Sequence, residues 1–453
     1  MSKHILPPAR LAGLAWLCLT SLTLPLHAQV PATPASTLAA APPASPNATA
    51  TAAEAVRVLS LDELITTVVA NNTELLSAQQ ARVTATAGIQ TASAYANPRL
   101  EWQSGRNQAR MPGAVPGAVQ GWGVSQMIEN PSARDARRGA AEAAARGTEH
   151  AITLTRNAVV SETRLRASEY LLRRAEAGVT SEDVALLEQV RERVRLRVAS
   201  GEAPRYEVIK ADAEIVHARE RQQTAALQAE QVLLTLNRMA SGRLPSRWSL
   251  AGSLQEDSPL PTLAELMAQA ETDNPELRAL QAEVERAEAQ VRGARASRWP
   301  GVELRVGQTR EPDLRQSSVG VSVQIPLLDR RDGAIGEAGS ELRRLQGRLD
   351  GRRAELRQQL QHAWQALAIA RLRVQALSEG VVLDAEAALK VAQAAYRFGE
   401  RGILDVLDAQ RVLRSARLNL LEARYQSQAA RIELETLAGR FAASPSTSPA
   451  TPQ

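Results

Sequence analysis

The sequence predicts a mainly α-helical chain with a β-barrel portion, in which long coiled-coil helices continue from strands that only several copies together can close. Three observations predict it. The body is duplicated at a spacing of about two hundred residues, each copy carries two segments of strict apolar–polar alternation, and each continues into a proline-free stretch with a 3.5-residue apolar period.

The chain opens with Lys3 and Arg10, an apolar run from Leu11 to Leu26, and Ala28 before Gln29, the pattern of a signal peptide over 1–28. Pro25 interrupts the run, which is short for a bilayer crossing; a retained anchor is the alternative. Cys18, the only cysteine, lies inside it, so cleavage after Ala28 leaves a chain that no disulfide can staple. Residues 29–58 read as a flexible Pro/Ala-rich segment and 441–453 as a flexible tail. The formal charge of +5 falls to +3 without Lys3 and Arg10, in a well-mixed distribution that gives no nucleic-acid surface. No other run suits a transmembrane helix, so a body that enters a membrane does so as strands.

At a constant spacing of 202, Leu61, Glu63, Leu64, Asn72, Glu74, Leu75, Gln79 and Pro98 coincide with Leu263, Glu265, Leu266, Asn274, Glu276, Leu277, Gln281 and Pro300. Further on, Gly123-Val124-Ser125 falls on Gly320-Val321-Ser322, and Gly201-Glu202 on Gly399-Glu400. Two structural repeats follow, 59–242 and 261–440, joined by a linker over 243–260. Each begins with a helix, about 61–95 and 263–297, that stops just before a proline. The period then changes to two, predicting strands at about 98–108, 119–129, 300–309 and 318–326. Leu100 and Trp102 alternate with Glu101 and Gln103, and Val302, Leu304 and Val306 with Glu303, Arg305 and Gly307. No proline lies between Pro131 and Pro204 or between Pro326 and Pro445. In the second of these stretches Leu356, Leu360, Ala363, Leu367, Ala370, Val374, Leu377 and Val381 step by four and three, a left-handed coiled-coil seam. In the first, Leu165, Leu172, Val179 and Leu186 recur every seven. A helix over 131–198 would reach roughly 100 Å.

Four strands cannot close a barrel in lipid, because open edges leave backbone groups unpaired. Two, three or four copies give eight, twelve or sixteen strands, and an open duct needs at least three. A lumen then suits Glu101, Glu303 and Arg305, while Trp102 and Trp122 fit an interfacial belt or ordinary packing. A four-stranded sheet over a soluble core is the alternative.

The order of elements, the duplication and the segment Tyr396 to Gln410 (YRFGERGILDVLDAQ) resemble the TolC family of outer-membrane efflux proteins, nearest to the branch serving cobalt-zinc-cadmium type cation pumps. The resemblance implies a homotrimer with a shared 12-stranded barrel in the outer membrane of a Gram-negative bacterium, continued by a helical barrel in the periplasm. It also implies docking to a periplasmic adaptor and an inner-membrane RND pump, in a passive duct exporting heavy-metal cations or small toxic compounds. Gly399 and Gly402 bracket the second helix-to-helix turn, where positive φ favours glycine. Asp405 and Asp408, three apart at the next helix start, complement its dipole; the resemblance implies that they narrow the periplasmic entrance. Glu207 and Lys210 hold the matching positions of the first copy. The adaptor-contact tips implied are Gly201, Glu202 and Arg205 in the first turn and Phe398, Gly399, Glu400, Gly402 and Leu404 in the second.

His150, His217 and His362 stand alone, without metal-ligand spacing, and no nucleophile, phosphate loop or cofactor motif appears. The alternating Arg191, Arg193, Arg195 and Arg197 read as solvated or paired with Glu188 and Glu192. The reading is therefore of no enzyme, no cofactor and no metal site. The alternatives are a periplasmic adaptor or coiled-coil structural protein, and a duct of a protein-secretion system.

Overall fold

The computed structural model describes residues 56–442, apart from 109, 114 and 255–258. The signal peptide, the Pro/Ala-rich segment through 55 and the tail from 443 lie outside the described residues. The first repeat comprises β1 (Arg57–Leu59), α1 (Leu61–Asn71), α2 (Thr73–Ser93), β2 (Arg99–Asn107), β3 (Gly117–Ile128), α3 (Pro131–Ala199) and α4 (Arg205–Met239). The short strand β4 (Trp248–Leu250) precedes the second repeat, α5 (Leu263–Asp273), α6 (Pro275–Ala296), β5 (Val302–Arg310), β6 (Arg315–Val323) and α7 (Asp332–Ala376). A π-helical turn, Leu377–Val381, then leads into α8 (Val382–Arg397) and α9 (Ile403–Leu437).

Each opening helix is two helices, not one, and the repeated asparagine is the reason. Asn72 and Asn274 adopt extended backbone, and their side chains accept from Leu75 N–H and from Glu276 and Leu277 N–H, starting a new helix. Each side-chain amide also donates to the closing helix of its own repeat, Asn72 to Met239 O at 3.1 Å and Asn274 to Leu437 O at 2.9 Å. One residue type thus breaks a helix and ties the start of a repeat to its end. Capping boxes Ser60–Glu63 and Thr262–Glu265 begin α1 and α5.

Strands β1 and β4 pair in parallel, with Val58 opposite Ser249. Residues 57 and 58, expected to be flexible, are therefore part of a strand, and so is part of the expected linker; three residues are too few to display an alternation. Trp248 is buried beside Tyr170, with ring centroids 6.5 Å apart, and Arg174 donates to Leu250 O and Gly252 O.

The four remaining strands form one antiparallel sheet in the order β2-β3-β5-β6. The register, Glu101 to Gly123, Gly123 to Gly307, and Met127 to Glu303, puts Glu101, Gln103, Ser125, Glu303, Arg305, Thr309 and Ser318 on one face. The other face carries Leu100, Trp102, Trp122, Val124, Ile128, Val302, Leu304, Val306, Val319 and Val321. Nearly all of that apolar face is exposed, Val319 by 83%. It gives way to Ser104, Arg106, Gln120, Gln308 and Arg310 toward the hairpin ends, so the apolar band runs from Trp122 to Ile128, about 20 Å along the strand.

Below the sheet the helices lie side by side, α2 against α3, α3 against α6 and α6 against α7. Farther along, the neighbours are α4, α3, α9 and α8 in that order. Helix α3 runs through both tiers, about 100 Å at 1.5 Å per residue. The core is correspondingly drawn out into separate clusters, one around Leu64, Leu236 and Leu250, one around Leu266, Leu360 and Leu434, and one around Val194, Ile403 and Val406.

The expected seam of the second repeat is buried from Leu356 through Ala370, but Val374 and Leu377 are half-buried and Val381 is exposed. The π turn rotates the helix there, and burial resumes at Ala385, Leu389 and Tyr396. In α3, Leu172 is buried while Leu165, Val179 and Leu186 are only half-buried, because α3 packs against several neighbours and buries more than one stripe. Before the π turn the buried pairs Ile152/Leu349, Val159/Leu356 and Tyr170/Leu367 recur at a spacing of 197; beyond it Gly201/Gly399 recur at 198. The π turn holds the extra residue.

Candidate functional site

The two helix-to-helix turns lie side by side at the end of the helical tier, where α3 packs on α9. Both close in the same way. Glu202 N–H donates to Arg197 O at 2.8 Å and Gly201 N–H to Val198 O at 3.1 Å; Glu400 N–H donates to Ala395 O at 3.0 Å and Gly399 N–H to Tyr396 O at 3.2 Å. This is the Schellman closure, and its left-handed residue is glycine in each, with φ of +81° at Gly201 and +76° at Gly399. Gly402 is different: its φ of −82° is extended, so the expected positive φ applies to Gly399 alone.

One arginine joins the two turns. Arg197 Nη1 donates to Tyr396 O at 2.9 Å, the guanidinium lies 4.8 Å from the Tyr396 ring centroid, and Nε is 3.6 Å from Glu202. Tyr396 is buried, and its hydroxyl donates to Glu207 Oε2 at 3.1 Å. Burial, with the Glu207 charge and hydrogen bond next, pushes the Tyr396 hydroxyl up to about 12. Glu207, the counterpart of Asp405, is therefore held between the turns by tyrosine.

Asp405 and Asp408 are exposed. Asp405 stands 3.7 Å from Arg401 Nη1, while Asp408 faces Arg411, whose guanidinium is taken up by Glu214. Phe398 and Leu404 are exposed beside them, and Glu202, Arg205 and Glu400 are exposed at the same two turns. The structure thus brings the two turns together, whereas Glu101, Glu303 and Arg305 lie apart from them in the sheet. There they share its polar face, Arg305 3.7 Å from Glu303.

Sequence reasoning missed the partners. The four arginines are expected to be solvated or paired with Glu188 and Glu192, yet Arg197 is the pin between turns, and Arg191 pairs with Asp212 while Glu188 holds Arg219. It also missed Asp183, a nearly fully buried carboxylate on α3. Gln410 Nε2 donates to it at 2.7 Å, and Arg414 and Arg221 approach to 3.2 and 3.4 Å, linking α3, α9 and α4. No spacing rule connects residues so far apart in the chain. Among the described residues no group of histidine, cysteine or acidic side chains is arranged to hold a metal ion.

A four-stranded sheet exposing one apolar face and both edges, prolonged by helical hairpins, is the fold of the outer-membrane efflux channels. It is shared with VceC of Vibrio cholerae (TM-score 0.71, 18% identity, 84% of this chain and 96% of that one) and with CusC (TM-score 0.67, 19% identity, 83% and 91%). Residues 266–440 match the family described as outer membrane efflux protein, a family of channels and not of enzymes. Among curated proteins it is 27% identical over 248 residues to the cobalt-zinc-cadmium resistance protein CzcC of Cupriavidus metallidurans. That alignment covers 54% of this chain and 59% of the relative's length.

Proposed function

We propose that three copies of the mature chain, beginning at Gln29, form the outer-membrane duct of a tripartite efflux system for heavy-metal cations. One observation carries the reading: every tier is an open four-membered layer. The sheet ends in β2 and β6, the upper helices in α2 and α7, and the lower ones in α4 and α8. In each tier one edge belongs to the first repeat and the other to the second. A single threefold rotation therefore sets β6 against the next copy's β2 and, below, α7 against α2 and α8 against α4. The barrel then has twelve strands, with the exposed apolar face toward lipid and Glu101, Glu303 and Arg305 toward water.

The tips from Gly201 to Arg205 and from Phe398 to Leu404 meet a periplasmic adaptor, which couples the duct to an inner-membrane RND pump. Asp405 and Asp408 of three chains place six carboxylates at the entrance, an arrangement that favours cations. The cobalt-zinc-cadmium resistance function of the relative CzcC supports metal cations as cargo. Extraction of the outer-membrane fraction tests the assembly: a trimer that dissociates on heating is expected, and recovery of the chain as a soluble periplasmic monomer overturns it.

A further inference from the structure

Where the sheet meets the helices, the surface carries a depression of about 660 Å³ between the end of β3, the start of α3 and the end of α6. Ile128 and Val302, opposite one another in the β3–β5 register, line its upper side, so it opens directly beneath the exposed apolar band. Its walls are fixed by two devices. Asn130 caps α3 and donates its side-chain amide to Ala296 O at 2.9 Å and Trp299 O at 3.3 Å, locking the end of α6 to the start of α3. Gly301 lets the backbones touch, since a Cβ there would lie 2.7 Å from Ile128 O.

The chemistry of the lining is uneven. Arg292 and Arg295, near the C-terminal end of α6, are exposed, and among the described residues neither makes an ion pair. The one carboxylate in the lining, Glu129, is taken by Arg137 at 2.7 Å, and neighbouring Arg298 by Asp332 at 2.5 Å. Trp299 stands beside the two arginines with 76% of its surface exposed. Arginines near a helix C-terminus are accounted for by the dipole alone, but an exposed indole between them and an apolar band is not.

We propose that this depression binds the headgroup of an anionic phospholipid in the leaflet on the helical side of the membrane. Arg292 and Arg295 take the phosphate, Trp299 lies at the glycerol level, and the acyl chains run up past Ile128 and Val302. The inference rests on the membrane-embedded trimer proposed above. It specifies one leaflet and fixes the depth of the barrel, because an arginine pair on phosphate resists movement in either direction.

The test uses full-length, delipidated trimer in detergent, with bound molecules counted by native mass spectrometry. Phosphatidylglycerol should be retained in preference to phosphatidylcholine. Arg292→Gln with Arg295→Gln should weaken that retention by about thirty-fold, taking each arginine at its usual worth near anionic headgroups. Trp299→Ala, which leaves the charges in place, should weaken both lipids alike. Equal phosphatidylglycerol retention by wild type and double variant overturns the site, as does competition by inorganic phosphate as effective as that by the lipid. Heat-modifiability of the same samples separates the two readings: a normal trimer without a lipid defect refutes only the headgroup site.

Discussion

Replacing Tyr396 by Phe removes one oxygen and leaves the ring on which Arg197 stacks. In the wild type that hydroxyl donates to the Glu207 carboxylate at 3.1 Å in a buried setting. A hydrogen bond to a charged group contributes about 1.5–3 kcal/mol, so its loss should favour separation of the two turns by roughly ten- to a hundred-fold. Alkaline titration gives an independent reading. The Tyr396 hydroxyl is raised from 10.0 to about 12, so between those values the separated state ionises while the docked state keeps its proton. Docking is then fully stabilised below pH 10 and loses this contribution as pH rises through 12. Single-channel conductance of trimers in planar bilayers, from neutral to strongly alkaline pH, should show wild type opening along this curve. Tyr396→Phe should be already more open at neutral pH and flatter above pH 10. Glu207→Gln, which still accepts the bond, should fall between the two. If Tyr396→Phe conducts and titrates as wild type does, the two turns are not held by this bond.

Gly439 closes α9 with φ of +73°, and a Cβ there would lie 2.6 Å from Asp273 O. Gly439→Ala should therefore cost roughly 2 kcal/mol or more and reduce the yield of heat-sensitive trimer, whereas Gly88→Ala, with open space around it, should not. Asp405→Ala with Asp408→Ala should lower cation selectivity and weaken block by divalent ions in planar-bilayer recordings; unaltered selectivity would leave the pair as helix-terminal charges only.

The strands and the long helices were legible in the sequence because each writes one periodicity over many residues, as Val302 to Val306 and Leu356 to Ala370 do. The repeat was legible for the same reason, and it drew attention to Asn72 and Asn274, although not to their second bond across the repeat. What stayed hidden depends on single contacts between distant residues. Nothing local distinguishes Arg197 from Arg195, yet only Arg197 reaches Tyr396. Asp183 occupies what would otherwise be an apolar position, and its partners lie on two other helices. The mini-sheet of Arg57–Leu59 and Trp248–Leu250 was too short to carry a pattern at all. The spacing of Asp405 and Asp408 marked them as charges at a helix start, and only the resemblance implied an entrance for them; Glu207 could be placed between the turns only once the tyrosine opposite it was in view.

The π turn at Leu377–Val381 bears on how the two halves of the chain can differ. One residue inserted into an unbroken α-helix would swing everything beyond it by about 100° and advance it by 1.5 Å. Tyr396 would then miss Glu207, and Gly399 would no longer sit beside Arg197. Because the wide turn takes up the insertion, the second hairpin keeps the azimuth and height of the first, whatever its own side chains become. In the proposed trimer the six tips thus approximate a sixfold wheel in which identical mechanical spokes alternate between two chemistries. One carries Glu207 and Lys210, and the other Asp405 and Asp408.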